Sequence, residues 1–228
     1  MALVKFGAVI TDSRGQIGGH QLRMTQYGPV LGMKGSPTKR TTSRRSITRA
    51  IFTDFSKRWW STLTPSQRDD WRALAAANPI TNPWGDEYSL TGLAYYIKLN
   101  ARLTTAGLAP TDDAPGDQAV SSLTSVTLAA TAPDSLAITF DPTPVPTDYK
   151  LYVFATAAQS PGATNFDRHF FFIGVVDAAE TSPFELWPLY STRLPQLYVG
   201  RQYAVSVAML KTTNAALSPP IQAAAIAT

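Results

Sequence analysis

A break in charge and composition near residue 110 limits what this chain can fold into more than any other feature. Residues 1–110 hold 15 of the 20 Lys and Arg but only 6 of the 16 Asp and Glu, a net +9, whereas the remainder carries −5. The modest total of +4 therefore joins two unlike parts. The first is basic, Trp-bearing and Gly-rich; the second is acidic and rich in Pro, Thr and Val. Such asymmetry suits one half that attaches to something anionic and another that faces outward, which points to binding or structure and away from catalysis. A chain of 228 residues allows one or two domains with cores of their own, and the break favours two.

Glycine punctuates residues 3–34 into short strands. They are Val4–Ile10, Gly15–Gly19, Gln21–Thr25 and Val30–Met33, with a turn over Gln26–Pro29 and Leu22, Met24 and Val30 alternating along a hairpin. So few large apolar residues cannot bury a core, so this ribbon is expected to lie on another surface and to be unordered before assembly. A polar, basic arm follows over residues 35–46.

Three helices come next. Ile47, Ile51, Phe55, Trp59 and Leu63 recur every four residues and draw one apolar stripe along a helix over Ser43–Thr62. Arg45, Arg49 and Ser56 stand opposite, and Phe52 and Trp60 also fall on the far side, where the helix's own core does not need them. Aromatics beside arginines on such a face are typical of an interface. The second helix opens at Thr64 with Pro65 in its first turn and Gln67 in capping-box position, and runs to Ala77 with Trp71 and Leu74 inward. Residues 78–87 read as a loop. A third helix spans Ser89–Ala106, stops at Gly107, and is apolar on two faces: Leu90, Leu93, Ala94, Ile97 and Ala101 on one, Tyr95, Tyr96, Leu99 and Leu103 on the other. Trp59, Trp60, Trp71 and Trp84 are expected chiefly in the core, with a contact anchor as the other reading of Trp60 on the far face.

Residues 108–122, with Pro110, Pro115 and three aspartates, read as a linker. Seven alternating segments then predict a β-sandwich: 125–130, 136–140, 149–155, 169–176, 184–189, 203–210 and 221–226. The stretch from Leu197 to Val205 resembles the fibronectin type III pattern, and that resemblance makes Tyr203 the tyrosine that anchors a corner. The fold class is thus α+β in two domains. Residues 1–34 form the ribbon, 35–107 the basic arm and helices, 108–122 the linker and 123–228 an Ig-like sandwich.

The order Arg14-Gly15-Gln16-Ile17-Gly18-Gly19, Gly28-Pro29-Val30, Ser36-Pro37, a Thr/Arg-rich arm, then Trp59 through Leu63-Thr64 and Gln67-Arg68 to Trp71 resembles a family of tailed-phage virion structural proteins. In that family a Gly-rich ribbon precedes a Trp/Leu-Thr/Gln-Arg/Trp helical hairpin, followed by a helix bearing an Asn, here Asn100. The resemblance implies a particle component assembled in the host cytoplasm, in multiple copies, on major capsid or tail subunits.

Enzymatic chemistry finds no support. No nucleophile elbow, phosphate loop, His-Glu-x-x-His or calcium loop occurs, and no catalytic, cofactor-binding or metal-binding residue is expected. With no cysteine, disulfides and thiolate sites are excluded. His20 and His169 have no partner cluster. Asp69/Asp70, Asp86/Glu87 and Asp112/Asp113 read as solvated or helix-terminal charges. No cleavage-site pattern follows the start and no run approaches about 18 apolar residues, so neither a secretory signal nor a membrane span is expected.

The basic cluster Lys39, Arg40, Arg44, Arg45, Arg49, Lys57 and Arg58 suits acidic protein better than nucleic acid. No recognition helix stands out, and the acidic half would be repelled by DNA. The expected function is a capsid decoration or minor capsid protein that clamps neighbouring subunits and projects the sandwich, with Arg40, Arg44, Arg45, Arg49, Phe52 and Trp60 in contact. Three alternatives stand beside it. They are a tail or head-tail connector component, a carbohydrate- or receptor-binding adhesin using Trp187, Tyr190 and Tyr198, and a DNA-binding protein using residues 35–107.

Overall fold

The computed structural model describes residues 2–3, 14–25, 28–34, 42–82, 84–116 and 118–228. The expected strand Val4–Ile10 and most of the arm, including Lys39 and Arg40, lie outside the described residues. The fold mixes helices with antiparallel sheets.

Among the described residues, four short strands make the ribbon: β1 (Ala2–Leu3), β2 (Gly15–Ile17), β3 (His20–Thr25) and β4 (Gly28–Met33), in the order β1-β4-β3-β2. Thr25 pairs with Gly28 and Met24 with Pro29, so Gly28 and Pro29 belong to β4 and not to the turn expected over Gln26–Pro29, whose first two residues lie outside the described residues. Val30 is buried, but Ile17 is 68% exposed and Met33 81%, so the ribbon shields little apolar surface.

The helices are α1 (Ser43–Ser61), α2 (Pro65–Ala77) and α3 (Gly92–Thr105). Local chemistry sets their starts. Thr42 Oγ1 accepts from Arg45 N, and Thr64 and Gln67 form the full capping box, the Gln67 amide oxygen accepting from Thr64 N at 2.9 Å. α3 begins three residues later than expected, because Thr91 caps it by accepting from Ala94 N. It stops at Gly107, whose φ of 73° is a left-handed value that a side chain would resist. The 78–87 segment is more than a loop. β5 (Ile80–Thr81) pairs with β6 (Glu87–Tyr88), and the Asn82 side chain ties the turn by accepting from Trp84 N and Asp86 N. Trp84 sits on this turn and is exposed, contrary to its expected core place.

The helical core gathers Phe55, Trp59, Leu63, Trp71, Ala75, Tyr95, Tyr96, Leu99 and Leu103. Tyr96 is its hub. Phe55, Trp59 and Trp71 surround its ring at centroid distances of 5.8, 5.6 and 5.2 Å, mostly edge to face. α2 and α3 meet where Gly92 faces Arg72, and a Cβ on Gly92 would lie 2.8 Å from Arg72 Cγ and 3.0 Å from its backbone nitrogen. Only glycine allows that approach.

The expected linker is bound along much of its length. Buried Asn100 donates to Tyr96 O and Thr111 O and accepts from Thr111 N, at 3.2, 3.1 and 2.7 Å. The next residue, Asp112, receives both Arg58 Nε (2.6 Å) and Arg58 Nη2 (2.7 Å), while Tyr96 Oη donates to its carboxylate and Trp71 Nε1 to its carbonyl at 2.8 Å. Gln67 then donates to Asp113 at 2.7 Å. Asp112 and Asp113 are therefore structural ligands of the helical hairpin, not free charges; the pattern of adjacent carboxylates carried no sign of it.

Residues 123–228 form two sheets across one core. The strands are β7 (Ser125–Thr131), β8 (Ser135–Asp141), β9 (Tyr149–Thr156), β10 (Phe170–Val176), β11 (Phe184–Glu185), β12 (Gln202–Lys211) and β13 (Ile221–Ile226), in the orders β11-β8-β7 and β10-β9-β12-β13. Leu136, Ile138, Phe140, Leu151, Val153, Val205, Val207 and Met209 alternate into the shared core. The expected strand 184–189 is shorter. After Glu185 the chain turns into α4 (Trp187–Ser191), with Pro188 in the first turn, where it suits a helix better than a paired strand. Tyr203 Oη accepts from Tyr198 N at 2.8 Å and pins the approach to β12.

The sandwich does not hang on a tether. β12 is buried on both faces, because Ala106, Leu108, Tyr152 and Leu210 pack together where α3 ends against the sheet. Tyr152 Oη donates to Arg102 O at 2.6 Å, Lys150 Nζ to Ala106 O at 3.0 Å, and Arg102 Nη1 to Ala215 O at 3.2 Å. Lys150 thus satisfies the carbonyl of the C-cap residue Ala106 and complements the dipole of α3, while Tyr152 adds a second donor to Arg102 O, which also accepts from Ala106 N.

Two outcomes test this account. Gly92→Ala should lower stability by about 1–3 kcal/mol in a denaturant titration, through the backbone clash with Arg72. The Arg58 hydrogen bonds hold Asp112 below its usual carboxylate range despite partial burial. Its contribution is therefore present above the unfolded value of about 4 and is lost as pH falls through the lowered folded value. Asp112→Asn should cost about 1–3 kcal/mol at pH 7 and flatten the acid limb of the stability profile, measured by thermal melts from pH 7 to pH 2.

Candidate protein interface on the first helix

α1 is longer than the helices it packs with. It spans 19 residues against 13 in α2 and 14 in α3, about 28 Å against roughly 20 Å at 1.5 Å per residue. Phe55, Trp59 and Leu63 of the expected stripe are buried and Ile51 partly so, but Ile47 is 60% exposed. Ile47 departs from expectation because it lies in the overhanging first turns, past the core that the stripe feeds.

On the far face, Phe52 is 57% exposed and Trp60 66%, so Trp60 leaves the core expected for it and takes the far-face position of a contact residue. With Thr53, Ser56, Lys57 and Ser61 they line an open, mainly apolar groove. Ser56 Oγ is shielded from solvent there and has no hydrogen-bond partner. Arg68 reaches across from α2, its Cζ 5.7 Å from the Trp60 ring, in a cation–π contact. Two large apolar side chains held on a basic surface and facing water make a recognisable contact anchor.

The basic residues divide. Arg45 and Arg49 are exposed on α1, Arg58 is engaged by Asp112, and Arg44 turns toward residues 123–228, its Nη2 donating to Phe172 O at 3.4 Å. Arg40 lies outside the described residues. The structure thus brings Phe52 and Trp60 to one groove, leaves Arg45 and Arg49 on the same helix, and sends Arg44 to a different place.

The aromatics of the adhesin reading do not form a platform. Tyr190 is in the sandwich core, its Oη donating to Thr156 O, and Trp187 stacks on it at 5.7 Å, partly buried. Tyr198 alone is exposed. His20 and His169 are exposed, and among the described residues no three His, Cys, Asp or Glu side chains come together as a metal site would need. Sequence reasoning missed Asp112 and Arg193; each sits in an irregular segment without periodicity, where no pattern could have marked it.

Truncating the two neighbouring tryptophans should separate core from contact. Trp59→Ala should cost about 3–5 kcal/mol of stability, whereas Trp60→Ala and Phe52→Ala should change it by no more than about 0.5 kcal/mol in the same denaturant titration. No protein-family model matches this chain, and comparison with curated proteins finds no match.

Proposed function

We propose that this chain is a non-enzymatic structural component of a tailed-phage particle, a capsid decoration or minor capsid protein that grips neighbouring subunits through its N-terminal half. The observation that carries the reading is the Phe52–Trp60 groove. It stands on a helix whose opposite face already fills the core, so burial of those aromatics awaits another surface. The thin ribbon supports the same reading, since strands with so little core of their own gain stability by lying against a neighbour.

The Tyr203–Tyr198 hydrogen bond and the sheet orders support a fibronectin type III or Ig-like identity for residues 123–228. Because that part is bonded to α3, it is carried as a rigid extension of the gripping half. The partner is the major capsid or a tail subunit of the same particle, met through an acidic surface beside an apolar one, in many copies. Among the described residues no helix is long and apolar enough to cross a membrane.

The test is electron cryo-microscopy of purified particles with peptide mass spectrometry. Regular density over the capsid is the expected result, density confined to tail or neck selects the connector alternative, and absence from particles overturns the proposal. Trp60→Asp combined with Phe52→Asp should reduce incorporation at least tenfold while leaving the circular dichroism spectrum unchanged.

A further inference from the structure

A second cleft lies on the other side of α1, between its overhanging first turns, the end of α3 and the edge strand β10. It holds about 410 Å³ and is lined by Arg44, Ile47, Ile51, Thr105, Phe172 and Arg193. Two arginines from distant parts of the sequence meet there on a single acceptor. Arg44 Nη2 and Arg193 Nη1 both donate to Phe172 O, at the β-bulge of β10 between Phe172 and Gly174.

Two guanidinium groups sharing one neutral carbonyl is an electrostatically unbalanced arrangement. Each carries a full positive charge and five donors, and one carbonyl accepts only a fraction of them. Among the described residues no carboxylate forms an ion pair with either. The pKa of Arg193 is lowered, first by burial and then by the charge of Arg44. An anion between the two would offset their mutual repulsion.

The pair is held in place before any ligand arrives. Arg193 lies with its Cζ 5.2 Å from the Phe172 ring, which is itself packed on Tyr152 and Phe154 at 5.1 and 5.4 Å. Its backbone amide donates to the carbonyl of core residue Tyr190 at 3.0 Å. Arg44 sits in the first turn of α1, and Thr48 Oγ1 donates to its carbonyl at 3.1 Å. Such anchoring lowers the entropy lost on binding.

We propose that Arg44 and Arg193 form a carboxylate-binding seat that takes one Asp or Glu side chain of a partner protein, with an apolar neighbour of that residue resting on Ile47, Ile51 and Phe172. The apolar floor and the exposed Asp134, Asp141, Asp148 and Glu180 on the same half argue for a lone carboxylate in a protein segment over a polyanion, which those charges would repel. The seat deepens the reading of an acidic partner and rests on it for its biological meaning, but its chemistry can be measured without a particle.

The experiment is a titration of the full-length, 15N-labelled protein with a capped Leu-Asp-Leu peptide, followed at the arginine Nε–H resonances. Arg44 and Arg193 should shift together and saturate, and Leu-Asn-Leu should bind at least tenfold more weakly. Arg44→Gln and Arg193→Gln should each weaken Leu-Asp-Leu at least tenfold, with Arg168→Gln, at an exposed position outside the cleft, as the control for general charge loss. A loss equal in Arg168→Gln, equal binding of Leu-Asn-Leu, or a response to inorganic phosphate but not to Leu-Asp-Leu would each overturn the seat. Should either glutamine variant fail to keep the native amide spectrum, Arg→Lys at the same position, which retains charge but not the planar fork, should weaken binding while preserving the fold; unchanged affinity would overturn the proposal. Saturable, aspartate-dependent binding alongside absence of the protein from particles would sustain the seat and remove only the virion reading.

Discussion

Much of the N-terminal half depends on how the chain returns over its own helices at Thr111 and Asp112. Asn100 grips the backbone of Thr111 from inside α3, while Arg58 of α1, Tyr96 of α3 and Trp71 of α2 all bond Asp112. Three helices are thereby tied to one dipeptide. A buried asparagine with its amide satisfied on both sides, and a carboxylate paired bidentately at partial burial, cost little in desolvation and would be expensive to leave half-paired. The aromatic cluster around Tyr96 supplies the burial, and the polar node supplies the one register in which that cluster closes.

The same node explains the spacing that marks the sequence. Trp59 and Trp71 flank Tyr96, Leu63 closes the helical turn, and Thr64 with Gln67 caps α2 while Gln67 also reaches Asp113. These positions build a helical hairpin and fasten the returning chain to it. Arg68 alone among them looks outward, where it meets Trp60. A motif that serves folding in this way can accompany many contact surfaces, because the groove residues Phe52 and Trp60 lie outside its structural duties.

The junction with residues 123–228 follows from the same economy of unsatisfied groups. At the end of α3 the Ala106 carbonyl is met by Lys150 and the Arg102 carbonyl gains Tyr152 as a second donor; β12 in turn has a second apolar face that α3 and Leu108 cover. The result places the edge strand β10 beside the overhang of α1, and so creates the cleft in which Arg44 and Arg193 meet.

The sequence by itself determined the helices, the capping box of α2, the stop of α3 at Gly107, the seven-strand pattern and the two faces of α1, since each depends on local periodicity and on residues within a few positions of one another. Phe52 and Trp60 were legible for that reason: a 100° count suffices to put them opposite Phe55 and Trp59. Only the tertiary structure decided the role of Asp112, the docking of the sandwich on α3, the exposure of Ile47 and Trp84, and the meeting of Arg44 with Arg193. Those outcomes join residues tens to more than a hundred positions apart, or hang on the relative lengths of packed helices. No periodic signal records such distances; they are fixed by which orphaned polar groups and apolar faces can be satisfied together once the chain is closed.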